Sequence, residues 1–126
     1  MITDQKLFEA FDKGINDGIE SLSAEELDRY RIQEFIMDWE NGILSGYFYN
    51  SLPDKEKIES TIAALHRSGL KEMSALLREA FEMFRHYEDP ATPSTWEKEL
   101  KKYDPEDRLI GFDSKIDALE NYGVKL

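Results

Sequence analysis

Cysteine is absent from this 126-residue chain, histidine occurs twice and proline four times. Without cysteine there is no disulfide framework, no thiolate zinc site and no cysteine nucleophile. That composition suits a reducing cytoplasm, where the chain is expected to reside. The two histidines, His66 and His86, fall on separate predicted helices with no HExxH spacing, so no metal site is expected. No stretch approaches the ~20 apolar residues of a membrane span. The N-terminal MITDQKLFEAFDKG is charged where a signal peptide would be apolar. Basic residues are scarce as well: 16 Lys and Arg stand against 27 Asp and Glu, for a net charge of −11. That sign argues against direct contact with nucleic acid or anionic membrane, and it suits a basic protein partner.

The acids are unevenly placed. Residues 1–40 carry 11 acids and 4 bases, residues 41–87 carry 6 of each, and residues 88–120 carry 10 acids and 5 bases. The neutral middle holds the most apolar helices, so folding could gather the flanking acids on one face. Asp104, Glu106, Asp107, Asp113 and Asp117 are dense but lack the alternating order, glycine and distal glutamate of a calcium loop. There is no phosphate-cradling glycine loop and no GxSxG. The reading is a non-enzymatic protein that needs no cofactor.

Helical periodicity dominates. Thr3 caps a helix over about 4–17, with Leu7, Phe8, Phe11 and Ile15 at helical spacing and Gly14 and Gly18 weakening its end. Ser23-Ala24-Glu25-Glu26 fits a capping box, and Ile32, Phe35, Ile36 and Trp39 form a stripe behind it. Asn41-Gly42 reads as a stop, with Gly42 as the left-handed residue. Residues 43–49 read as a short helical turn, Ser51 to Asp54 as a loop with Asp54 as a cap. A helix to about Ser68 and another over 70–87 then form a tight hairpin at Gly69. Glu88 to Pro93 reads as a loop. Ser94-Thr95-Trp96-Glu97 is a second capping-box candidate, and Pro105 suits the first turn of a last helix. No segment alternates as a strand does. The expectation is an all-α fold: a single compact domain of six or seven helices over 1–126, with 1–22 as an N-terminal helix and connector and 23–120 as the core.

Glu40 to Asn50, ENGILSGYFYN, is the most distinctive segment. Asn41, Gly42, Gly46, Tyr47, Phe48, Tyr49 and Asn50 join two glycines to three successive aromatics. The aromatics can bury large area beyond a bend, and the lack of a positive groove argues against a base-stacking platform. The segment resembles the signature of the bacterial DNA-mimic protein family, first catalogued as a domain of unknown function. That pattern reads NNGGF, two variable positions, then aromatics and Asn. Asn41, Gly42, Phe48 and Asn50 fit it, Leu44 stands for its Phe, and Tyr47 and Tyr49 fit as aromatics. Glu40, Ile43 and Gly46 depart from its first Asn, second Gly and common Gln. Ala64–Leu70, Ser74–Phe84 and Asp113–Ile116 are similar to further segments of the family, so the likeness covers roughly 25–120.

The resemblance implies an all-α domain; in one characterised member of the family the acidic surface imitates duplex DNA and occupies a DNA-binding protein, while most members have no assigned function. It transfers no mimic residues. Duplex DNA carries one charge per ~1.7 Å of axis, whereas one helix face repeats every ~5.4 Å, so several helices must cooperate. The residues singled out for a partner-binding acidic face are Glu25, Asp28, Glu34, Asp38, Glu97, Glu99, Glu106 and Asp107. An immunity protein that neutralises a basic toxin or nuclease makes the same surface demand and stays open, as does an acidic helical domain of another role. A homodimer also stays open, since a wider acidic face would copy a duplex better.

Overall fold

The structure, a computed structural model, describes residues 2–88 and 92–125. Six α-helices run in chain order: α1 Asp4–Asp17, α2 Ala24–Ser51, α3 Lys55–Arg67, α4 Lys71–Glu82, α5 Trp96–Tyr103 and α6 Arg108–Asp117. Short 3-10 turns lie at Ile19–Ser21 and Glu120–Gly123. There is no strand among the described residues; a single bridge pairs Thr3 with Lys125 and ties the two ends of the chain together. The all-α expectation therefore holds. No described helix is long and apolar enough to cross a membrane. The loop expected at Glu88–Pro93 lies partly outside the described residues.

Local signals explain most helix starts. Thr3 accepts from the Lys6 amide, and Asp54 accepts from the Lys57 amide. Ser23 and Glu26 form both halves of the capping box. The backbone amide of Ser23, followed by Lys13 at 3.0 Å, holds the Glu26 carboxyl below its ordinary range. The second capping box does not form. Thr95 is the N-cap of α5, but its hydroxyl turns back to Thr92, 2.7 Å from that hydroxyl, so no side chain caps the helix. The last helix starts three residues beyond Pro105. Asp104 is buried, and its carboxylate reaches forward to the amides of Arg108 and Leu109 at 2.6 and 3.0 Å.

Packing follows from these elements. α1 and α2 are antiparallel: Lys13 meets Glu26, and Phe11 stacks on Tyr30 with ring centroids 5.1 Å apart. Gly14 does more than weaken α1, because a methyl group there would come within 2.5 Å of the Tyr30 ring. α1 buries Leu7, Ala10 and Gly14, while Phe8 and Ile15 are exposed, so only part of its expected apolar face meets the core. The α3–α4 hairpin is antiparallel as expected: Glu59 pairs with Arg78, and the buried Ser74 hydroxyl donates to the Ile62 carbonyl at 2.8 Å. Its turn uses Gly69 at φ +86°, with the Leu70 amide bonded to the Leu65 carbonyl and the Gly69 amide to that of His66. α4 ends at Glu82, short of the expected 87, and the chain turns through Phe84. Phe84 is fully buried among the rings of Phe48, Tyr87, Trp96 and Tyr103, which dock α5 onto the body of the fold.

Candidate functional site

α2 breaks where the sequence suggests a stop, but the left-handed residue is Ile43 and not Gly42. Gly42 sits at φ −148° and Ile43 at φ 54°, ψ −161°. For a β-branched residue that backbone region is sterically costly, on the order of 1–3 kcal/mol. The position is the one where the family pattern carries its second glycine. Ile43→Gly is therefore expected to stabilise the fold by about 1 kcal/mol, read as a rise in urea midpoint; an unchanged or lower midpoint would show the backbone to be unstrained.

The break leaves the Leu44 amide outside the helical ladder, and α6 supplies its acceptor. Asp113 Oδ1 accepts from the Leu44 amide and from Trp39 Nε1, both at 3.0 Å. Asp113 is buried and its other oxygen has no hydrogen-bond partner among the described residues. Burial pushes its pKa up despite the two bonds from Leu44 and Trp39. Beyond the break, Tyr47 and Phe48 are fully buried, Tyr49 is half-buried against Trp96, and Asn41 and Asn50 are exposed. Burial raises the pKa of Tyr47, whose phenol neighbours the Thr61 and Ser51 side chains. The aromatic run is thus mainly core, as its spacing suggested, and Asn50 reaches the Asp38 carboxylate at 3.4 Å.

The eight singled-out carboxylates fall into two separate sets. Asp28 makes a two-pronged pair with Arg67 at 2.7 and 2.8 Å. Glu34 lies between Arg31 at 3.2 Å and Lys57 at 3.6 Å, and Glu25 reaches Arg29 at 3.7 Å. Asp38 is half-buried, and burial raises its pKa, with Glu34 adding to and Lys57 opposing the shift. The other set, Glu97, Glu99, Glu106 and Asp107, makes no ion pair among the described residues. Glu97, Glu106 and Asp107 are exposed. The first set borders α1 and α3, the second lies on α5 and the turn into α6, and no described contact joins them. The free negative charge of α2 is smaller than its composition suggests.

The raised pKa of Asp38 has a definite sign. The folded state binds its proton more tightly than the unfolded chain, so the stability it contributes is complete below about pH 3.9 and is lost as pH rises through the folded value. Asp38→Asn removes that loss. Its stability relative to wild type should rise between pH 4 and pH 7 in urea titrations; a constant difference would show that Asp38 titrates normally.

Sequence reasoning missed a junction where the two acidic segments do meet. Tyr122 packs edge-on against Trp39 at 5.7 Å. Its pKa is pushed up to about 12 by burial, by the adjacent Glu40 carboxylate and by Asp117. Glu40 comes from the acidic N-terminal third and Asp117 from the acidic tail, and both are exposed. Apart from this junction, Asp12, Asp17 and Glu20, on α1 and the turn after it, are exposed and make no ion pair among the described residues. His66 and His86 are exposed on different segments, and no group of three possible metal ligands converges among the described residues.

A cleft runs beside the break in α2. One part, about 290 Å³, is bordered by Ile43, Leu100, Ile110, Asp107 and Asp113. The other, about 450 Å³, is bordered by Gly46, Tyr49, Pro93 and Trp96. Ser45, Glu97 and Leu100 line both, so the two adjoin.

No curated protein and no solved structure gives a significant match to the chain. A protein-family comparison matches residues 20–125 to the family described as DMP19-like protein. That span takes in both halves of α2, the Asp113 bond that holds its break, and α5, so the chain belongs to the DMP19-like family, the DNA-mimic family that its Glu40–Asn50 segment resembles.

Proposed function

We propose that this protein is a non-enzymatic, acidic protein-binding module that acts as a DNA mimic, occupying the DNA-binding surface of a basic protein. The observation that carries the reading is the set of exposed carboxylates Glu97, Glu106 and Asp107 on α5 and the α5–α6 turn, which form no ion pair among the described residues although Lys98, Lys101 and Lys102 lie on the same helix, in a chain of net charge −11. Glu40 and Asp117 add a second negative patch at the α2–α6 junction, where both act on Tyr122. Membership of the DMP19-like family supports the same reading. Such a surface speeds encounter with a positive partner and loses its hold as salt rises. The partner's phosphate-binding lysines and arginines would meet carboxylates in place of phosphates, so duplex DNA and this protein would exclude each other.

The test is capture from a soluble extract on the immobilised full chain at low and at high ionic strength, followed by elution with duplex DNA. Recovery at low salt of DNA-binding proteins that duplex DNA releases is the expected result. Recovery that survives high salt, or that DNA does not compete, would refute the mimic reading.

A further inference from the structure

The cleft beside the α2 break combines features that packing does not account for. Gly46 sits inside the second helical segment of α2, where glycine weakens a helix relative to alanine. A Cβ there would meet nothing closer than the Asp38 carbonyl at 3.9 Å, so no neighbour requires the glycine. Its missing side chain instead leaves the cleft open. Ile110, 62% exposed on α6, and Ile43, 44% exposed at the break, present apolar surface to the same space.

The floor is lined by carboxyl groups. Asp113 is only 9% exposed, it lines the cleft, and its Oδ2 has no hydrogen-bond partner among the described residues. Glu97, Asp104 and Asp107 add three carboxylates around it, and Lys101 is the one cation among the described lining residues. Lys101 pairs with none of them. Tyr49 and Trp96, with ring centroids 5.9 Å apart, wall the adjoining end.

An occupant must therefore be apolar along its length, positive at its tip and able to lie against aromatic rings. A guanidinium meets all three demands better than an ammonium. It is more weakly hydrated, it stacks on aromatic faces, and its planar fork pairs with carboxylates. We infer that the cleft between the second half of α2 and α5–α6 is the seat for one arginine side chain of the basic partner, its stem along Gly46 and Leu100 and its guanidinium among Glu97, Asp107 and Asp113. This rests on the functional reading above and adds to it. The partner is held at one point by an anchored arginine and elsewhere by diffuse charge. Buried arginines in pockets are frequent centres of binding energy in protein interfaces.

The probe is N-acetyl-arginine amide, titrated into the ¹⁵N-labelled full chain and followed by amide chemical shifts. N-acetyl-norleucine amide serves as the uncharged control. Saturable shifts at Ser45, Gly46, Leu100 and Ile110 are expected from the arginine compound, with roughly millimolar affinity for so small a ligand. The norleucine compound should bind at least about 10-fold more weakly, the loss of one charge-assisted interaction. Gly46→Leu, which fills the cleft without changing charge and favours the helix, should abolish the shifts while leaving the rest of the amide spectrum in place. Glu97→Gln, on an exposed helical position, should weaken binding about 3- to 10-fold.

Equal binding of the two compounds, shifts spread over all exposed acids, or full binding to Gly46→Leu would each overturn the inference. Those results leave salt-sensitive, DNA-competed capture untouched. Conversely, localised arginine binding without such capture would sustain the cleft and refute the mimic reading.

Discussion

Asp113→Ala is expected to destabilise the fold by about 3 kcal/mol, a fall in melting temperature of roughly 10 °C. Two donors, Trp39 Nε1 and the Leu44 amide, lose one acceptor, and both belong to buried residues. A bond to a charged acceptor is worth about 1.5–3 kcal/mol, and a stranded buried donor costs about 1–3 kcal/mol. The raised pKa of Asp113 limits the sum, because the ionised carboxylate is itself disfavoured there. Asp113→Asn keeps an acceptor in the place of Oδ1, with its amide nitrogen where Oδ2 has no partner, and should cost only about 1 kcal/mol. The pH dependence has a sign as well. A folded pKa above the unfolded one means that wild-type Asp113 contributes most at low pH and less as pH rises. The alanine penalty should therefore be larger at pH 5 than at pH 7.5. Equal losses for alanine and asparagine would show that the bonds to Trp39 and Leu44 contribute little.

Phe84→Ala is expected to cost about 3–5 kcal/mol, the usual range for emptying a buried phenylalanine site. The ring is fully buried and lies 4.8 Å from Phe48, 5.7 Å from Tyr103 and 6.1 Å from Trp96. α5 has no buried residue of its own; Trp96, Leu100 and Tyr103 are half-buried against the core cluster. Loss of Phe84 should thus detach α5 before the rest unfolds. Hydrogen exchange would read this as a loss of protection over Trp96–Tyr103 larger than that in α3. Uniform loss across all helices would instead show α5 to be an integral part of one cooperative unit. Since α5 forms one wall of the cleft, the same variant should weaken arginine binding. Phe84→Leu keeps most of the volume and should cost under about 1.5 kcal/mol.

The parts of the fold that could be read from the chain are those governed by neighbours in sequence. The Ser23–Glu26 box, the Gly69 turn and the stripe of Ile32, Phe35, Ile36 and Trp39 each depend on residues within about one to three turns of one another. Failures arise where a distant or competing partner decides. Ser94 was available as the cap of a Ser94–Glu97 box, but the helix starts one residue later, at a Thr95 whose hydroxyl is engaged by Thr92. Pro105 could open a helix, but the Asp104 carboxylate caps the amides of Arg108 and Leu109 and shifts the start. The left-handed conformation falls on Ile43 because an acceptor on α6, 69 residues away, captures the Leu44 amide. No local rule selects an isoleucine for that backbone.

The acidic surface was legible in amount and not in place. Composition gave the excess of carboxylates and the neutral middle. It could not show that Arg67 would reach across from α3 to Asp28, or that Lys57 would reach Glu34. Nor could it show that Glu40 and Asp117 would converge on Tyr122. The cleft was out of reach for the same reason: its walls belong to α2, α5 and α6, brought together by the aromatic cluster around Phe84 and by the bonds of Asp113 to Trp39 and Leu44.

The most direct test of the central claim compares two triple variants of equal charge change in the extract-capture experiment at low salt. Glu97→Gln, Glu106→Gln and Asp107→Asn together neutralise the free carboxylates of α5 and the α5–α6 turn; asparagine tolerates the left-handed backbone at Asp107. Glu56→Gln, Glu72→Gln and Glu79→Gln neutralise exposed carboxylates of α3 and α4. The account predicts that the first set loses most of the DNA-competed capture while the second retains it. Equal retention by both sets, or equal loss, would contradict it.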